Sequence, residues 1–100
     1  MPRPRFSSQQ TVRLLTAFLH RPDTWRHGYE LGRETGLSSG TLYPLLLRLA
    51  EEGWLEARWI DPERPGRPAR HAYRLTAAGR TLAARQVDRR AAGRPALAPG

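Results

Sequence analysis

The stretch Tyr29–Leu55, YELGRETGLSSGTLYPLLLRLAEEGWL, decides how the rest of the chain folds. It predicts a short helix over residues 27–35, a tight turn, and a longer helix over residues 39–52. Gly36 ends the first of these helices, because glycine adopts a left-handed backbone conformation without steric cost. A helix, a glycine-containing turn of a few residues and a second helix make up the helix-turn-helix unit.

The second helix has one apolar and one polar side. Its apolar residues recur at positions i, i+3, i+4 and i+7, which is the stripe of a core-facing helix: Leu42, Leu45, Leu46 and Leu49. We expect Ser38 or Ser39 to cap this helix by accepting a bond from a backbone amide. In a helix-turn-helix unit the second helix enters the major groove of DNA with its N-terminus first. Small polar residues there permit close approach to bases and phosphates, so we predict DNA contacts from Ser38, Ser39, Gly40, Thr41 and Tyr43.

Four short motifs follow one another in the chain, and together they resemble the PadR family of bacterial transcriptional regulators over roughly residues 10 to 85. They are Gly28-Tyr29-Glu30-Leu31, Leu42-Tyr43-Pro44, Glu51-Glu52-Gly53-Trp54-Leu55 and Tyr73-Arg74-Leu75-Thr76. The Tyr-Pro pair is the most distinctive, since proline is unusual in a helix beyond its first turn. The resemblance implies a winged-helix repressor that binds double-stranded DNA as a homodimer. It also implies release from DNA by a small hydrophobic or phenolic effector.

The remaining segments complete a mainly α-helical domain with a small antiparallel β-hairpin. Helical spacing of apolar residues predicts a first helix from Ser8 to His20, and Pro22 and Asp23 predict a turn over residues 21–26. Alternating patterns predict strands over 54–60 and 71–75, which form a two-stranded wing. Thr76 is placed to cap a last helix over 77–90. We expect residues 1–7 to be a flexible basic arm, residues 8–90 a winged-helix domain, and residues 91–100 a disordered tail.

The loop between the two strands is rich in arginine and proline. Its prolines and glycine exclude a helix or an inner strand, so the loop is extended and partly stiff. Arg64, Arg67 and Arg70 occur at every third position and are followed by His71. We predict that these four residues contact phosphates or the minor groove. The alternative is a solvated basic loop.

Two further residues of the long helix are assigned to the same interface. Arg48 lies one turn beyond Pro44 and is within reach of a phosphate, while Pro44 itself belongs to the DNA-facing turn. Tyr43 has two interpretations: it contacts the groove, or it packs as a half-buried ring on the first helix.

Composition agrees with a nucleic-acid partner. The formal net charge of +8 favours a polyanion, with DNA or RNA ahead of an anionic membrane surface. All 17 basic residues counted as Lys or Arg are arginines, which coding in a GC-rich genome explains without any function. The absence of cysteine excludes disulfides and thiolate chemistry. Since no apolar run is long enough to span a membrane and no signal peptide is recognisable, we expect a soluble cytoplasmic protein.

Dimerisation and effector binding are the least specified parts of the prediction. Leu14 adds a second apolar side to the first helix, which would suit a dimer contact, and the resemblance implies that the last helix takes part as well. Trp25 and Trp54 are the candidates to line an effector site. The alternative for Trp25 is packing beneath its loop.

Catalysis is not supported. His20, His27 and His71 lack a metal-ligand spacing, and two adjacent glutamates on a helix diverge. We therefore predict no enzyme, no cofactor and no metal. Two other binding functions stay open: a winged-helix module whose basic wing docks an acidic protein, and a small RNA-binding protein. The second is disfavoured because the aromatic residues are not clustered as an exposed stacking platform.

Overall fold

The computed structural model describes residues 8–62 and 64–92, and only the backbone of residues 90–92. The elements follow in the order α1 (Gln9–His20), β1 (Arg26–His27), α2 (Gly28–Thr35), α3 (Ser39–Glu51), β2 (Leu55–Ile60), β3 (Arg70–Leu75) and α4 (Ala77–Ala92). This is a winged helix-turn-helix fold followed by one further helix, as predicted. The predicted basic arm and residues 93–100 of the predicted tail lie outside the described residues.

Local signals account for most helix ends. Ser8 caps α1, since its hydroxyl oxygen accepts a 3.1 Å bond from the Thr11 amide. Gly36 ends α2 with φ 76°, a left-handed conformation that glycine adopts freely. The Thr76 hydroxyl accepts a 2.9 Å bond from the Gly79 amide and caps α4. That helix runs two residues past its predicted end, because it continues through alanines, the best helix formers.

The predicted capping bond of α3 is wrong. Ser38 occupies the capping position with an extended backbone, but its hydroxyl makes no bond to the helix amides and lies 3.4 Å from the Thr41 hydroxyl. The first amides bond instead to the Ser38 carbonyl oxygen, at 3.1 Å from Thr41 and 2.8 Å from Leu42. The serine side chain therefore stays on the surface at the start of α3.

The sheet has three antiparallel strands in the order β1-β3-β2, one more than the predicted hairpin. Strands β2 and β3 pair from Leu55↔Leu75 to Ile60↔Arg70. Strand β1, which pairs Arg26 with Tyr73, lies where we predicted the end of a turn and the start of a helix. A two-residue strand has no periodicity to detect. It forms because β3 has a second edge with backbone groups to pair.

The core lies between the helices and one face of the sheet. The four predicted leucines of α3 are all buried, between 0% and 8% exposed. Phe18 and Leu15 of α1 and Leu31 of α2 are fully buried in the same cluster. Leu14 is fully buried as well, and α4 packs against α1. The second apolar side of α1 is thus used within the chain and requires no partner subunit.

A buried arginine joins α1, β1 and α2. The Arg26 side chain is 1% exposed, and its Nη1 donates a 2.9 Å bond to the Ala17 carbonyl. Its Nε donates a 2.6 Å bond to Glu30, and its Nη2 pairs with Glu34. Burial by itself lowers the pKa of Arg26, but the hydrogen bonds and charges of the two glutamates raise it overall. The guanidinium therefore stays charged and positions α2 against α1.

The described residues offer neither a membrane span nor a metal site. Along this part of the chain, no helix combines the length and apolar character needed to cross a bilayer. Its His, Asp and Glu side chains form no group of three or more that could hold a metal ion.

Candidate nucleic-acid interface

The outward side of α3 lies opposite its leucine stripe. Ser38, Ser39 and Gly40 are exposed at its start, and Thr41 is half-buried. A Cβ added at Gly40 would meet no atom within 4 Å, so the backbone there is open to close approach. Four of the predicted contact residues thus lie together at the N-terminus of α3.

Pro44 and Arg48 lie further along the same helix. Both are exposed. Pro44 is inside α3 and past its first turn, so it has no amide to donate to the Gly40 carbonyl. Arg48 belongs to the last turn. With a rise of about 1.5 Å per residue, it lies roughly 10 Å along the axis from Thr41.

Tyr43 combines an exposed ring with a tightly packed hydroxyl. Its side chain is 47% exposed. A Cβ at Gly28, the first residue of α2, would lie 2.4 Å from the Tyr43 hydroxyl oxygen, closer than real contacts allow. Glycine is therefore needed at position 28 for the ring to lie where it does. Tyr43 also approaches Tyr73 of β3, whose pKa is raised by burial and by the charge that Tyr43 acquires when ionised.

An aromatic row continues from Tyr73 along the sheet towards the wing. His71 lies 3.2 Å from the Tyr73 hydroxyl through its Nδ1, within hydrogen-bonding distance. Trp59 stacks on His71 with ring centroids 4.2 Å apart and planes inclined by 12°. Trp59 is 66% exposed and His71 is exposed as well, whereas Tyr73 is buried, so the exposed part of this row is one pair of stacked rings. Trp59 and His71 are paired by the register of β2 against β3. That register depends on how the loop between the strands folds, which cannot be predicted from the periodicity of the sequence.

The wing arginines converge. Arg64, Arg67 and Arg70 are all exposed and line one open cavity of about 610 Å³. His27 of β1 and the carboxylate residue Asp61 line it too. Gly66, with φ 88°, allows the chain to reverse between the first two arginines. The every-third spacing in the sequence thus becomes one basic surface in space.

The two tryptophans named as effector candidates have different surroundings. The Trp25 ring is half-buried and lies near the guanidinium groups of Arg58 and Arg74, each 4.5 Å from its centroid. Trp54 is half-buried against the hydrophobic core. Neither residue lines the wing cavity. The Trp25 ring thus lies beside arginine side chains of β2 and β3.

Sequence reasoning missed three residues of this surface. Leu47 of α3 is 60% exposed although it lies among buried leucines, and Trp59 is exposed at the sheet edge. The position of Leu47 outside the i, i+3, i+4, i+7 stripe was a usable signal. The role of Gly28 had no such signal, since it depends on the approach of a ring 15 residues later in the chain.

Solved structures share this fold. A PadR-like transcription factor from Bacteroides fragilis superposes with a TM-score of 0.67 at 20% identity, covering 84% of each chain. The protein smu.1704 from Streptococcus mutans UA159 gives 0.67 at 23% identity, over 92% of this chain and 85% of that one. The regulator PcaV from Streptomyces coelicolor, in complex with its natural ligand, gives 0.66 at 24% identity. That match covers 88% of this chain and 57% of PcaV. At these identities the likeness establishes the fold.

Family membership rests on the sequence match. No curated protein matches the chain. The PadR-like family of transcriptional regulators matches residues 19–85, which include the helix-turn-helix unit and the wing. Proteins of this family are transcriptional regulators and not enzymes, in agreement with the prediction. The chain therefore belongs to the PadR-like family of transcriptional regulators.

Proposed function

We propose that this regulator is a sequence-specific DNA-binding repressor that acts as a homodimer in the bacterial cytoplasm. Each subunit places α3 in a major groove, and the two half-sites lie about 34 Å apart, or a multiple of that distance. Ser38, Ser39, Gly40, Thr41 and Tyr43 approach bases or the nearby backbone, together with Pro44. Arg48, Arg64, Arg67, Arg70 and His71 contact phosphates or the minor groove. Residues 8–90 form the DNA-binding domain, flanked by a basic arm and a tail.

One observation carries this proposal: the outward side of α3 begins with small, accessible residues, and a tyrosine ring is held beside them. Gly28 provides the space that holds Tyr43 at this position. A helix shaped in this way fits into a major groove. The converging wing arginines add a basic surface suited to phosphates.

The first test is a fluorescence-anisotropy titration at several salt concentrations. DNA from the region upstream of the protein's own gene is compared with a scrambled duplex of the same length. A preference of about 1,000-fold or more for the upstream DNA supports a specific repressor. Equal and steeply salt-dependent binding to both duplexes contradicts it, and would favour a module that docks an acidic protein.

Tyr43→Ala is expected to weaken binding to the specific site by about 1–3 kcal/mol while leaving non-specific binding unchanged. Gly28→Ala is expected to produce a loss of the same kind, because its added Cβ displaces the ring from its position over residue 28. Tyr43→Phe separates the contribution of the ring to specific affinity from that of the hydroxyl. Thermal melts of all three variants show whether they are folded. Specific affinity unchanged in both Tyr43→Ala and Gly28→Ala would remove the ring from the interface.

Arg67→Ala is expected to weaken binding to all sequences alike and to reduce the slope of log affinity against log salt by about one unit, because one phosphate contact is lost. Arg85→Ala is the matched control. It removes the same charge from an exposed position on α4, outside the proposed interface. If both variants change the slope equally, net charge and not the wing determines the salt dependence.

Dimerisation and effector release are tested separately. Light scattering after size exclusion gives the mass of the free protein, and a twofold mass supports the homodimer. The effector hypothesis draws on the similar structures, since NadR was solved in complex with 4-hydroxyphenylacetate. We therefore use that compound as the probe. Release of bound DNA, together with a change in the tryptophan fluorescence of the DNA-free Trp59→Phe protein, supports a site near Trp25 or Trp54, and no response to the probe counts against it.

A further inference from the structure

An exposed apolar strip runs along the outward side of α3. Its members are Tyr43, Pro44 and Leu47, and we keep the name apolar strip for these three residues. Leu47 lies three residues after Pro44 and four after Tyr43, so the three side chains are neighbours on one helical face. Leu47 is 60% exposed and Tyr43 47% exposed. Their exposure is not explained by the core, which already contains Leu45, Leu46 and Leu49.

We propose that Leu47 is a specificity-determining residue that recognises the C5-methyl group of a thymine in the major groove. The proposal rests on the DNA-binding function proposed above. Thymine C5-methyl is the apolar group that the base pairs of unmodified DNA present in this groove. A leucine side chain has no donor or acceptor, so it recognises a base edge through this contact.

The rest of the apolar strip has little capacity to read bases by hydrogen bonds. Pro44 has no amide hydrogen, and the Tyr43 hydroxyl faces the Gly28 backbone at close range. The polar side chains lie at either end, with Ser39 before the strip and Arg48 immediately after it. Direct recognition along the middle of α3 therefore depends on apolar contact.

The geometry of the helix also limits where the thymine lies. Leu47 is four residues beyond Tyr43, or about 6 Å along the axis at 1.5 Å per residue. A recognition helix enters the major groove at an angle to the DNA axis, and residues three or four apart on it contact successive bases. We therefore expect the thymine read by Leu47 about one base pair from the base nearest Tyr43, once in each half-site.

The favoured surroundings of the apolar strip are nucleic acid and not protein. The chain carries a formal net charge of +8, and the exposed side of α3 holds Arg48 and the small residues that begin the helix, with one carboxylate, Glu51, at its far end. A second copy of the chain would bring the same positive charge to this face. Duplex DNA supplies the opposite charge, and a helix in its major groove can contact the thymine methyl groups.

The test replaces thymines of the bound operator with deoxyuridine, one position per half-site at a time. This change removes the methyl group and keeps the hydrogen-bonding edge. We expect about fourfold weaker binding for each methyl group lost at one position, the equivalent of roughly 0.8 kcal/mol. Thymines outside the reach of the apolar strip should show no loss. Leu47→Ala should bind the thymine and deoxyuridine operators equally, since the coupling requires both partners.

Controls separate this inference from the proposed function. The unmodified operator is measured first against scrambled DNA; without selective binding, the proposed function fails and the inference fails with it. Selective binding with no deoxyuridine effect overturns the inference alone, as does an effect that persists in Leu47→Ala. If Leu47→Ala changes the mass of the free protein but not the thymine preference, the strip binds protein and the inference is wrong. A thermal melt confirms that the Leu47→Ala protein folds.

Discussion

Arg26→Met is expected to lower the free energy of unfolding by about 3 kcal/mol. Methionine keeps a long side chain but removes the cation, which leaves Glu30 and Glu34 facing each other and the Ala17 carbonyl without its donor. This loss of about 3 kcal/mol is at the lower end of the range for breaking a buried ion pair. The reason is that the carboxylates of Glu30 and Glu34 are 41% and 33% exposed, so water reaches them. For a domain stabilised by about 5–15 kcal/mol, this is a large fraction. Urea denaturation followed by circular dichroism measures it.

The matched control is Arg21→Ala. Arg21 lies 3.9 Å from the same Glu30 but is 64% exposed. Solvent and salt screen such a pair, so its loss should cost no more than about 1 kcal/mol. Equal losses in the two variants would show that burial of Arg26 contributes nothing to its effect.

The pH dependence of stability distinguishes lost charge pairing from lost packing. Burial raises the pKa of Glu34, but hydrogen bonds and charge from His20 and Arg26 lower it overall. A pKa that is lower in the folded state favours the ionised carboxylate on folding. This contribution is therefore present above the unfolded pKa of about 4.3 and is lost as the pH falls through the folded pKa. In Arg26→Met less stability should be lost on acidification than in the unsubstituted protein. A pure packing defect would leave this loss of stability at low pH unchanged.

Gly79→Ala is expected to destabilise the protein by about 3 kcal/mol, although alanine is the better helix former. Helix propensity alone predicts a gain of up to about 1 kcal/mol in α4. A Cβ at this position, however, would lie 1.9 Å from the Trp54 carbonyl oxygen and 3.3 Å from Leu75 Cδ2. A backbone carbonyl cannot rotate away as a side chain does, so α4 must shift from the start of β2. Chemical denaturation gives the sign directly.

Gly40→Ala serves as the comparison for that variant. Gly40 is also helical, yet an added Cβ would meet nothing within 4 Å. Its substitution should leave stability unchanged or raise it by up to about 1 kcal/mol. If Gly79→Ala were more stable than the unsubstituted protein, α4 could move away from the Trp54 carbonyl with little loss of free energy.

Arg26 and Gly79 differ in how their loss would affect the helices of the proposed interface. Arg26 holds α2 against α1, and α2 begins at Gly28, where the Tyr43 ring lies. Loss of Arg26 is therefore expected to disturb the support of the recognition helix as well as overall stability. Gly79 contacts Trp54, which follows the C-terminal end of α3, so its effect should fall mainly on stability.

The sequence by itself determined the helix-turn-helix unit, the wing and the last helix. These elements depend on signals within a few residues: the leucine spacing of α3, the left-handed Gly36, and the Thr76 hydroxyl that caps α4. Such interactions form between close neighbours in the chain, so their pattern can be recognised in the sequence alone. The small residues at the start of α3 were identified in the same way.

Tertiary structure alone decided the features that join distant residues. Strand β1 exists through its pairing with β3, and the three wing arginines share one cavity because the loop folds around Gly66. The burial of Arg26 requires carboxylates from α2 and a carbonyl from α1. Nothing local marks these residues as different from other arginines, glycines or turn residues. Their roles arise from contacts that exist only after the helices pack, because burial and charge pairing depend on distance in space and not along the chain.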